Sequence, residues 1–207
     1  MPEPMSQRAF KNFGARTSHS NRGMDFQSEI DAANGYYRLR ALADVDRNAN
    51  EWAYTSDSRW RTFPPELRAT TGTGGRIVRV SSNVDYTGGG ASFSVAFDAK
   101  ECAQASIPLA NFKEAQIERL VAKERCGVRA GFLVRFTRTG EVYWVAASKV
   151  REAFDRAKLQ PKGKGAHPKS LSPDWLREHG VCVEEGRGAA MIRVDYLRAV
   201  APELFVR

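Results

Sequence analysis

The chain of 207 residues carries 32 Lys and Arg against 24 Asp and Glu, which gives a formal net charge of +8. This length suits one domain with appendages and is too short for two full domains. The positive charge is typical of proteins that bind a polyanion such as nucleic acid, although a solvated surface or a membrane-facing patch also fits it. The sequence has no apolar run long enough to span a bilayer and no signal-peptide pattern at its N-terminus, so we expect a cytoplasmic protein without a membrane partner.

Histidine and cysteine usage does not favour a zinc site. The three histidines have no metal-like spacing: His19, His167 and His179. The three cysteines are odd in number, widely separated and without a C-x-x-C pair: Cys102, Cys126 and Cys182. This usage is typical of reduced thiols in the cytoplasm.

Residues 1–20 are polar and include the basic side chains Lys11 and Arg16. Mobile basic segments bind phosphates on DNA without needing a core, which makes both residues candidate DNA contacts. A frayed terminus fits the composition equally well. We predict a flexible basic arm over residues 1–20 and one domain over residues 21–207.

A helix is predicted from about Met24 to Arg40, because four apolar residues recur at helical spacing: Phe26, Ile30, Ala33 and Tyr37. Glu29 lies beside this stripe, where a buried carboxylate is costly unless it is paired or bound to a metal. An arginine such as Arg22 is a candidate partner for it. Arg22 is equally a candidate phosphate contact ahead of the helix.

The stretch from Ala41 to Ser82 has weak secondary-structure signals. Its aromatic residues are expected in a core, with an interaction surface as the alternative: Trp52, Tyr54, Trp60 and Phe63. Residues 76–80 alternate as a strand does. Three arginines here are candidate DNA contacts: Arg68, Arg76 and Arg79.

Residues 91–100 alternate between apolar and polar side chains and predict a strand. Asp98 and Lys100 fall on one face of it, so a carboxylate that ligates a hard cation stands beside an ammonium that meets an anionic oxygen. Glu101 falls on the opposite face. A glycine turn at residues 88–90 predicts a hairpin that returns Asp85 toward Asp98, and two carboxylates at that range repel unless a cation lies between them. Mg²⁺ is the expected ion, because it shares oxygen ligands with substrate phosphates, and Mn²⁺ is the alternative.

An amphipathic helix is predicted from Phe112 to about Arg125. Gln116 lies within its apolar stripe, between Phe112 and Leu120. A long amide in that position needs a partner, either in the core or at the edge of a site.

Apolar runs at residues 131–137 and 141–146 flank a turn at 138–140 and predict a hairpin that completes a sheet. Ser148 is expected to cap a helix that ends near Lys158. Residues 159–169 form a basic loop, which either contacts the DNA backbone or is solvated. A last short helix is predicted between Ser172-Pro173 and Gly180, because proline is favoured at helix starts and glycine at helix ends.

Five segments resemble, in order and rough spacing, the motifs of RecU-type Holliday junction resolvases: Asn21-Arg22-Gly23-Met24, Asp85-Tyr86-Thr87-Gly88, Phe97-Asp98-Ala99-Lys100-Glu101, Pro108-Leu109 with Asn111-Phe112, and Gln116-Ile117-Glu118. Residues 193–197 resemble the family more weakly. The resemblance implies a role for five residues, with three metal ligands, a catalytic lysine and an accessory amide: Glu29, Asp85 and Asp98, Lys100, and Gln116. The family usually has Glu where this chain has Asp98, whose side chain is one methylene shorter.

The resemblance also implies a fold and a set of partners. The family belongs to the PD-(D/E)xK nuclease superfamily, so we expect a restriction-endonuclease-like α/β fold in which helices flank a mixed central sheet. A stalk-like insertion of the family enters the junction, and its place here is residues 63–82, which do not match the usual stalk sequence closely. A homodimer that nicks both strands of a DNA four-way junction symmetrically is implied, and a recombinase is a candidate partner.

Other functions remain open. A related nuclease acting on duplex or flap DNA is favoured if the middle region forms no protruding basic element. A non-catalytic DNA-binding or recombination-accessory protein is favoured if the acidic cluster is structural, and metal dependence distinguishes it. The role of Lys100 is also open between orienting or deprotonating water and stabilising the transition-state oxyanion.

Overall fold

The computed structural model describes residues 22–48, 51–62, 65, 68–71, 73–80, 84–159, 168–184 and 192–206. The predicted arm at residues 1–20 and most of the predicted basic loop at 159–169 lie outside these ranges. Within them, a six-stranded mixed sheet stands between two layers of helices. This arrangement confirms the predicted α/β class with a mixed central sheet flanked by helices.

Strands are numbered along the chain, and the numbering includes two smaller sheets. The spatial order of the main sheet is β1 (Asp44–Arg47), β5 (Tyr86–Gly89), β6 (Ser94–Cys102), β8 (Arg129–Phe136), β9 (Val142–Ala146) and β11 (Val181–Val183). β6 and β8 run parallel, and every other neighbouring pair in this sheet is antiparallel. A parallel pair needs a long crossover connection, and a helix supplies it here.

The helices that cover the main sheet are α1 (Arg22–Leu39), α3 (Glu114–Arg125), α4 (Ala147–Leu159), α5 (Pro173–His179) and α6 (Tyr196–Val200). One core lies between the sheet and α1 with α6, and it includes Phe97 and Leu133. The other lies between the sheet and α3 to α5, and it includes Ala96 and Phe132. The central strands β6 and β8 are therefore buried on both faces, which explains their apolar composition.

The predicted apolar stripe of α1 is confirmed, because all four of its residues are buried in one core: Phe26, Ile30, Ala33 and Tyr37. The predicted β5–β6 hairpin is also confirmed, although its turn is closed at 90–93, where the Gly90 amide donates to the Phe93 carbonyl over 3.0 Å. The preceding Gly88 belongs to β5. A side chain there would collide with the backbone of the neighbouring β1, so the glycine run permits close strand pairing.

Two predicted helix starts were wrong. α3 begins at Glu114, because Leu109–Asn111 form a separate 3-10 turn and Phe112 is extended. Ser148 does not cap α4, which begins at Ala147 directly after β9, and its hydroxyl donates to Glu124 over 3.0 Å instead. The predicted start of α5 is confirmed, since the Ser172 hydroxyl accepts from the Trp175 amide over 3.1 Å.

A second sheet is inserted between β1 and β5. Its strands are β2 (Glu51–Tyr54), β4 (Arg76–Val80) and β3 (Arg68–Thr70), all antiparallel, and the short helix α2 (Asp57–Trp60) lies against β4. Strand β4 matches the predicted strand at residues 76–80. Val78 of β4 is buried, and it belongs to neither core of the main sheet.

The small sheet occupies the sequence position of the predicted stalk-like insertion and begins upstream of it, at residue 51. Its function as a stalk stays a prediction. A third, two-stranded ladder joins β7 (Ile107–Pro108) to β10 (Ser170–Leu171). Among the helices in the described part of the chain, none is both long and apolar enough to cross a membrane.

Candidate active site

Three polar residues lie in a row where the chain enters and leaves the small sheet. Tyr86 of β5 is paired with both β1 and β6. At the next register position, towards the small sheet, Asn48, Asp85 and Asp98 lie opposite one another. The Asn48 amide donates to the Asp85 carbonyl over 2.8 Å, which continues the first ladder. Side chains opposite one another on paired strands share a face, so the hairpin brings the carboxylates of Asp85 and Asp98 together.

The Asp85 carboxylate is held by the neighbouring strand. Its Oδ2 accepts a hydrogen bond from the backbone amide of Ala99 over 3.0 Å. A backbone donor in the middle of a strand cannot move independently, so it fixes the position of this oxygen.

Asp98, Lys100 and Gln116 form a closed set of contacts on the α3 side of the sheet. Gln116 Nε2 donates to Asp98 Oδ1 over 2.7 Å, and Gln116 Oε1 accepts from Lys100 Nζ over 3.2 Å. The ammonium of Lys100 also forms an ion pair with Asp98 Oδ2. Asp98 and Lys100 therefore share one face of the strand, as predicted. The Gln116 amide, which lies within the apolar stripe of α3, finds its partners in these two residues.

The Asp98 side chain is fully buried, and burial raises its pKa from 3.8 to about 6. The nearby Asp85 carboxylate raises the pKa further, whereas the Lys100 ammonium lowers it. Desolvation outweighs the ion pair, so this carboxylate is poorly stabilised by the protein alone. A positive charge brought to the site would favour its ionised form.

The donor set fits a divalent cation. Asp98 Oδ2 is buried, and the Lys100 ammonium forms an ion pair with it. Within the described ranges, no group of three or more His, Cys, Asp or Glu side chains is placed to hold a metal ion. Mg²⁺ commonly uses one or two carboxylates together with water and substrate phosphates, so Asp85 and Asp98 suffice for it.

Glu29 lies apart from this cluster. Its Oε2 is 3.0 Å from Arg135 Nη1 and its Oε1 is 3.4 Å from Arg193 Nη1. Arg135 follows Val134, which belongs to the core on the α3 side, so the arginine points to the α1 side by strand alternation. Glu29 therefore meets the opposite face of the sheet from Asp98. Its ligand role stays a prediction.

Glu101 faces Arg135 across the β6–β8 ladder, on the α1 side that alternation predicts. The Arg135 guanidinium also lies over the Phe26 ring, 5.3 Å from its centroid. Arg135 thus joins α1 to the middle of the sheet through both charge and stacking.

The structure brings together two of the six predicted DNA contacts. The guanidinium groups of Arg68 and Arg76 lie over the ring of Trp60, at 5.1 and 5.2 Å from its centroid. Both arginines thus converge on one aromatic side chain of α2, the helix that lies against β4. The remaining four lie where no side chain is described: Lys11, Arg16, Arg22 and Arg79.

Sequence patterns did not identify two residues with structural roles, Asn48 beside the cluster and Arg135 on the opposite face of the sheet. Arg135 does carry a sequence signal, because it is the one charged side chain in the apolar run at residues 131–137 and so needs a buried partner. Asn48 has no comparable signal. Its importance follows from strand register alone.

The chain matches the family described as "RecU: Recombination protein U" over residues 21–202. The Holliday junction resolvase RecU of Bacillus pumilus (strain SAFR-032) is 28% identical over 191 residues, which cover 92% of this chain and 85% of the relative. The Holliday junction resolvase RecU of Streptococcus pneumoniae (strain CGSP14) is 27% identical over 207 residues, covering 96% of this chain and 92% of the relative. The structure of Hjc, a Holliday junction resolvase from Archaeoglobus fulgidus, matches 78% of this chain and 93% of its own, with 13% identity and a TM-score of 0.40. Because the family match spans most of its length, the chain belongs to the Recombination protein U family.

Proposed function

We propose that the protein is a structure-selective DNA endonuclease that resolves Holliday junctions by paired phosphodiester hydrolysis in homologous recombination and repair. The observation that carries this proposal is the cluster of Asp85, Asp98, Lys100 and Gln116 at the β5–β6 hairpin. Membership of the Recombination protein U family, whose relatives named above are Holliday junction resolvases, supports it.

Asp85 and Asp98 are the proposed ligands of a divalent cation, with Mg²⁺ expected and Mn²⁺ as the alternative. Such an ion lowers the pKa of bound water and neutralises charge on the phosphate. Glu29 is a third proposed ligand on the resemblance alone, and it would first have to leave Arg135 and Arg193 and reach an ion held on the other face of the sheet.

Lys100 has two partners that fix its ammonium beside the carboxylates. Gln116 accepts from it, and Asp98 pairs with it. From this position the ammonium contacts either a phosphate oxygen or the attacking water. Gln116 has the separate task of holding Asp98 and Lys100 in one orientation, since its amide bonds to both.

DNA binding is proposed to come from the positive charge of the chain and from the small sheet. Arg68 and Arg76 stack on Trp60, and this stacking restricts their rotamers before DNA binds. On sequence grounds, four more residues are proposed phosphate contacts: Lys11, Arg16, Arg22 and Arg79. The small sheet is the proposed element that enters the junction.

A homodimer is part of the proposal, because paired nicks in a two-fold symmetric junction need two active sites related by the same symmetry. A recombinase as a candidate partner and a cytoplasmic location are also part of the proposal.

The test is cleavage of a four-way junction with immobile arms and a mobile core, beside linear duplex of the same sequence, in Mg²⁺ or EDTA. We expect symmetric nicks confined to the junction, lost in EDTA and in Asp98→Asn, while Asp98→Asn still binds the junction. Metal-dependent cutting of both substrates would instead indicate a general nuclease. Binding by the wild type without any cutting would overturn the enzymatic proposal in favour of an accessory protein.

A further inference from the structure

Asn48 stands at the base of the small sheet. The chain leaves β1 at Asn48, passes through β2, α2, β3 and β4, and is back beside it at Val84 and Asp85. Both chain connections of the insertion therefore meet at one residue. The second connection continues directly into a proposed catalytic carboxylate.

Asn48 makes three hydrogen bonds to the returning segment. Its backbone amide donates to the Asp85 carbonyl over 2.8 Å. Its side-chain Nδ2 donates to the Val84 carbonyl over 2.7 Å, and its Oδ1 accepts from the Thr87 hydroxyl over 3.0 Å. A single half-buried side chain thus bonds to the backbone just before Asp85 and to a side chain two residues after it.

The hydrogen bonds of Asn48 restrain the segment around Asp85 from β1, and the Asp85 carboxylate is also restrained from β6. Asp85 Oδ2 accepts from the Ala99 amide of β6, so its backbone is tied to β1 and its side chain to β6. Strand ends fray unless such bonds hold them. Without the Asn48 side chain, Asp85 would keep the β6 restraint and its own ladder bond, but the Val84 carbonyl and the Thr87 hydroxyl would lose these partners.

We propose that Asn48 is a positioning residue for the reaction, which sets the orientation of Asp85 toward Asp98 and joins the small sheet to the active site. The inference rests on the proposed function. It assigns Asn48 no contact with substrate, and the effect of replacing it passes through Asp85.

Asn48→Ala is the direct test, since it removes both side-chain hydrogen bonds and leaves the Val84 carbonyl and the Thr87 hydroxyl without these partners. We expect single-turnover cleavage of the junction at saturating protein to fall about tenfold or more, because small displacements of reacting groups have effects of this size. The Kd for the junction should stay within about twofold of the wild type. Thr87→Val removes only one of the bonds and should slow cleavage less, which provides a second variant if Asn48→Ala does not fold.

A readout independent of cleavage is the rise in melting temperature that Mg²⁺ produces without DNA. Misplacing Asp85 should reduce that rise in Asn48→Ala and, to a smaller extent, in Thr87→Val. Asn34→Ala is the matched control, because Asn34 is a buried amide that accepts from Tyr196 on the α1 side of the sheet. It should lower the melting temperature but keep both the wild-type cleavage rate and the Mg²⁺-induced rise.

Wild-type cleavage and an unchanged Mg²⁺-induced rise in folded Asn48→Ala would overturn the inference. Equal losses of rate in Asn48→Ala and Asn34→Ala would also overturn it, because general destabilisation would then explain both. If the wild-type protein cuts no junction, the proposed function fails, whereas the Mg²⁺-induced rise still tests whether Asn48 positions Asp85.

Discussion

The side-chain amide of Gln116 donates to Asp98 Oδ1 over 2.7 Å, so a residue of α3 orients a carboxylate in the middle of β6. Gln116→Ala leaves this oxygen and the Lys100 ammonium without a common partner. We expect junction binding to be kept and single-turnover cleavage to fall about tenfold or more, since preorganised polar groups in an active site act at this scale. Gln104→Ala is the control, because Gln104 is exposed. Equal rates in the two variants would contradict the role of Gln116.

Removal of the Asp98 charge should stabilise the metal-free protein near neutral pH. The pKa of Asp98 is raised to about 6 in the folded state, chiefly by burial, so between pH 4 and pH 6 the folded protein binds more protons than the unfolded chain. Stability therefore falls as pH rises through this window, by up to about 3 kcal/mol. Asn at this position has no charge to desolvate.

Melting temperatures of the wild type and Asp98→Asn in EDTA from pH 4 to pH 8 measure this difference. The advantage of Asp98→Asn should be absent near pH 4 and grow until about pH 7. Asp174→Asn, which removes a 90% exposed carboxylate paired with Arg177, should show little pH-dependent change. An advantage of equal size at all pH values would refute the burial of an ionised Asp98 as its cause.

Mg²⁺ binding should be linked to the same proton. Since the ion needs ionised carboxylates, it must displace the proton that Asp98 holds below about pH 6. The Mg²⁺-induced rise in melting temperature should therefore be larger at pH 8 than at pH 5.5 in the wild type. It should be strongly reduced in Asp85→Asn and Asp98→Asn, and a full rise in either would remove that residue from the ligand set.

Glu29→Gln tests whether Glu29 is a metal ligand or only an ion-pair partner of two arginines. Because Glu29 meets Arg135 and Arg193 on the other face of the sheet, we expect the variant to melt at a lower temperature but to keep most of the Mg²⁺-induced rise. Asp98→Asn, measured alongside, shows how far the Mg²⁺-induced rise falls when a proposed ligand is removed. If Glu29→Gln loses the rise to the same extent, Glu29 is a third ligand, as the resemblance implies.

Arg76→Gln should weaken DNA binding through charge alone. The slope of log K against log salt concentration is negative, and each phosphate that the protein no longer neutralises makes it less negative by about 0.9 for duplex arms. Cleavage at saturating protein should be unchanged, since Arg76 lies over Trp60 in the small sheet and not in the cluster. Arg177→Gln is the control, because Arg177 pairs with Asp174 and Glu141. Identical salt slopes for Arg76→Gln and the wild type would remove Arg76 from the DNA surface.

Local patterns predicted the parts of the protein in which neighbours in sequence decide the structure. Strand alternation placed Asp98 and Lys100 on one face, and the glycine run predicted the hairpin that returns Asp85. The apolar spacing of α1 predicted its buried face, because helix geometry alone determines which residues share a side.

Other features depend on contacts between distant residues, which local patterns do not encode. Glu29 and Arg135 are 106 residues apart, and the bond from Asn48 to Val84 spans 36. The small sheet was not predicted as a sheet, because its strands are short and β2 finds its partner in β4 only after β3 has intervened. The cap at Ser148 was wrong because Glu124, on another helix, competes for that hydroxyl.

The parallel pairing of β6 with β8 also bears on when the protein becomes able to cut DNA during its own folding. The β5–β6 hairpin is a local structure that brings Asp85 and Asp98 together, whereas the contact of Gln116 with Asp98 also requires the crossover helix α3, which connects β6 to β8, to lie against the sheet. Non-local parallel pairing is a slow step in folding. The two carboxylates are therefore joined by local pairing and the amide that orients them by a non-local contact, so we expect full cleavage activity only from the completed fold.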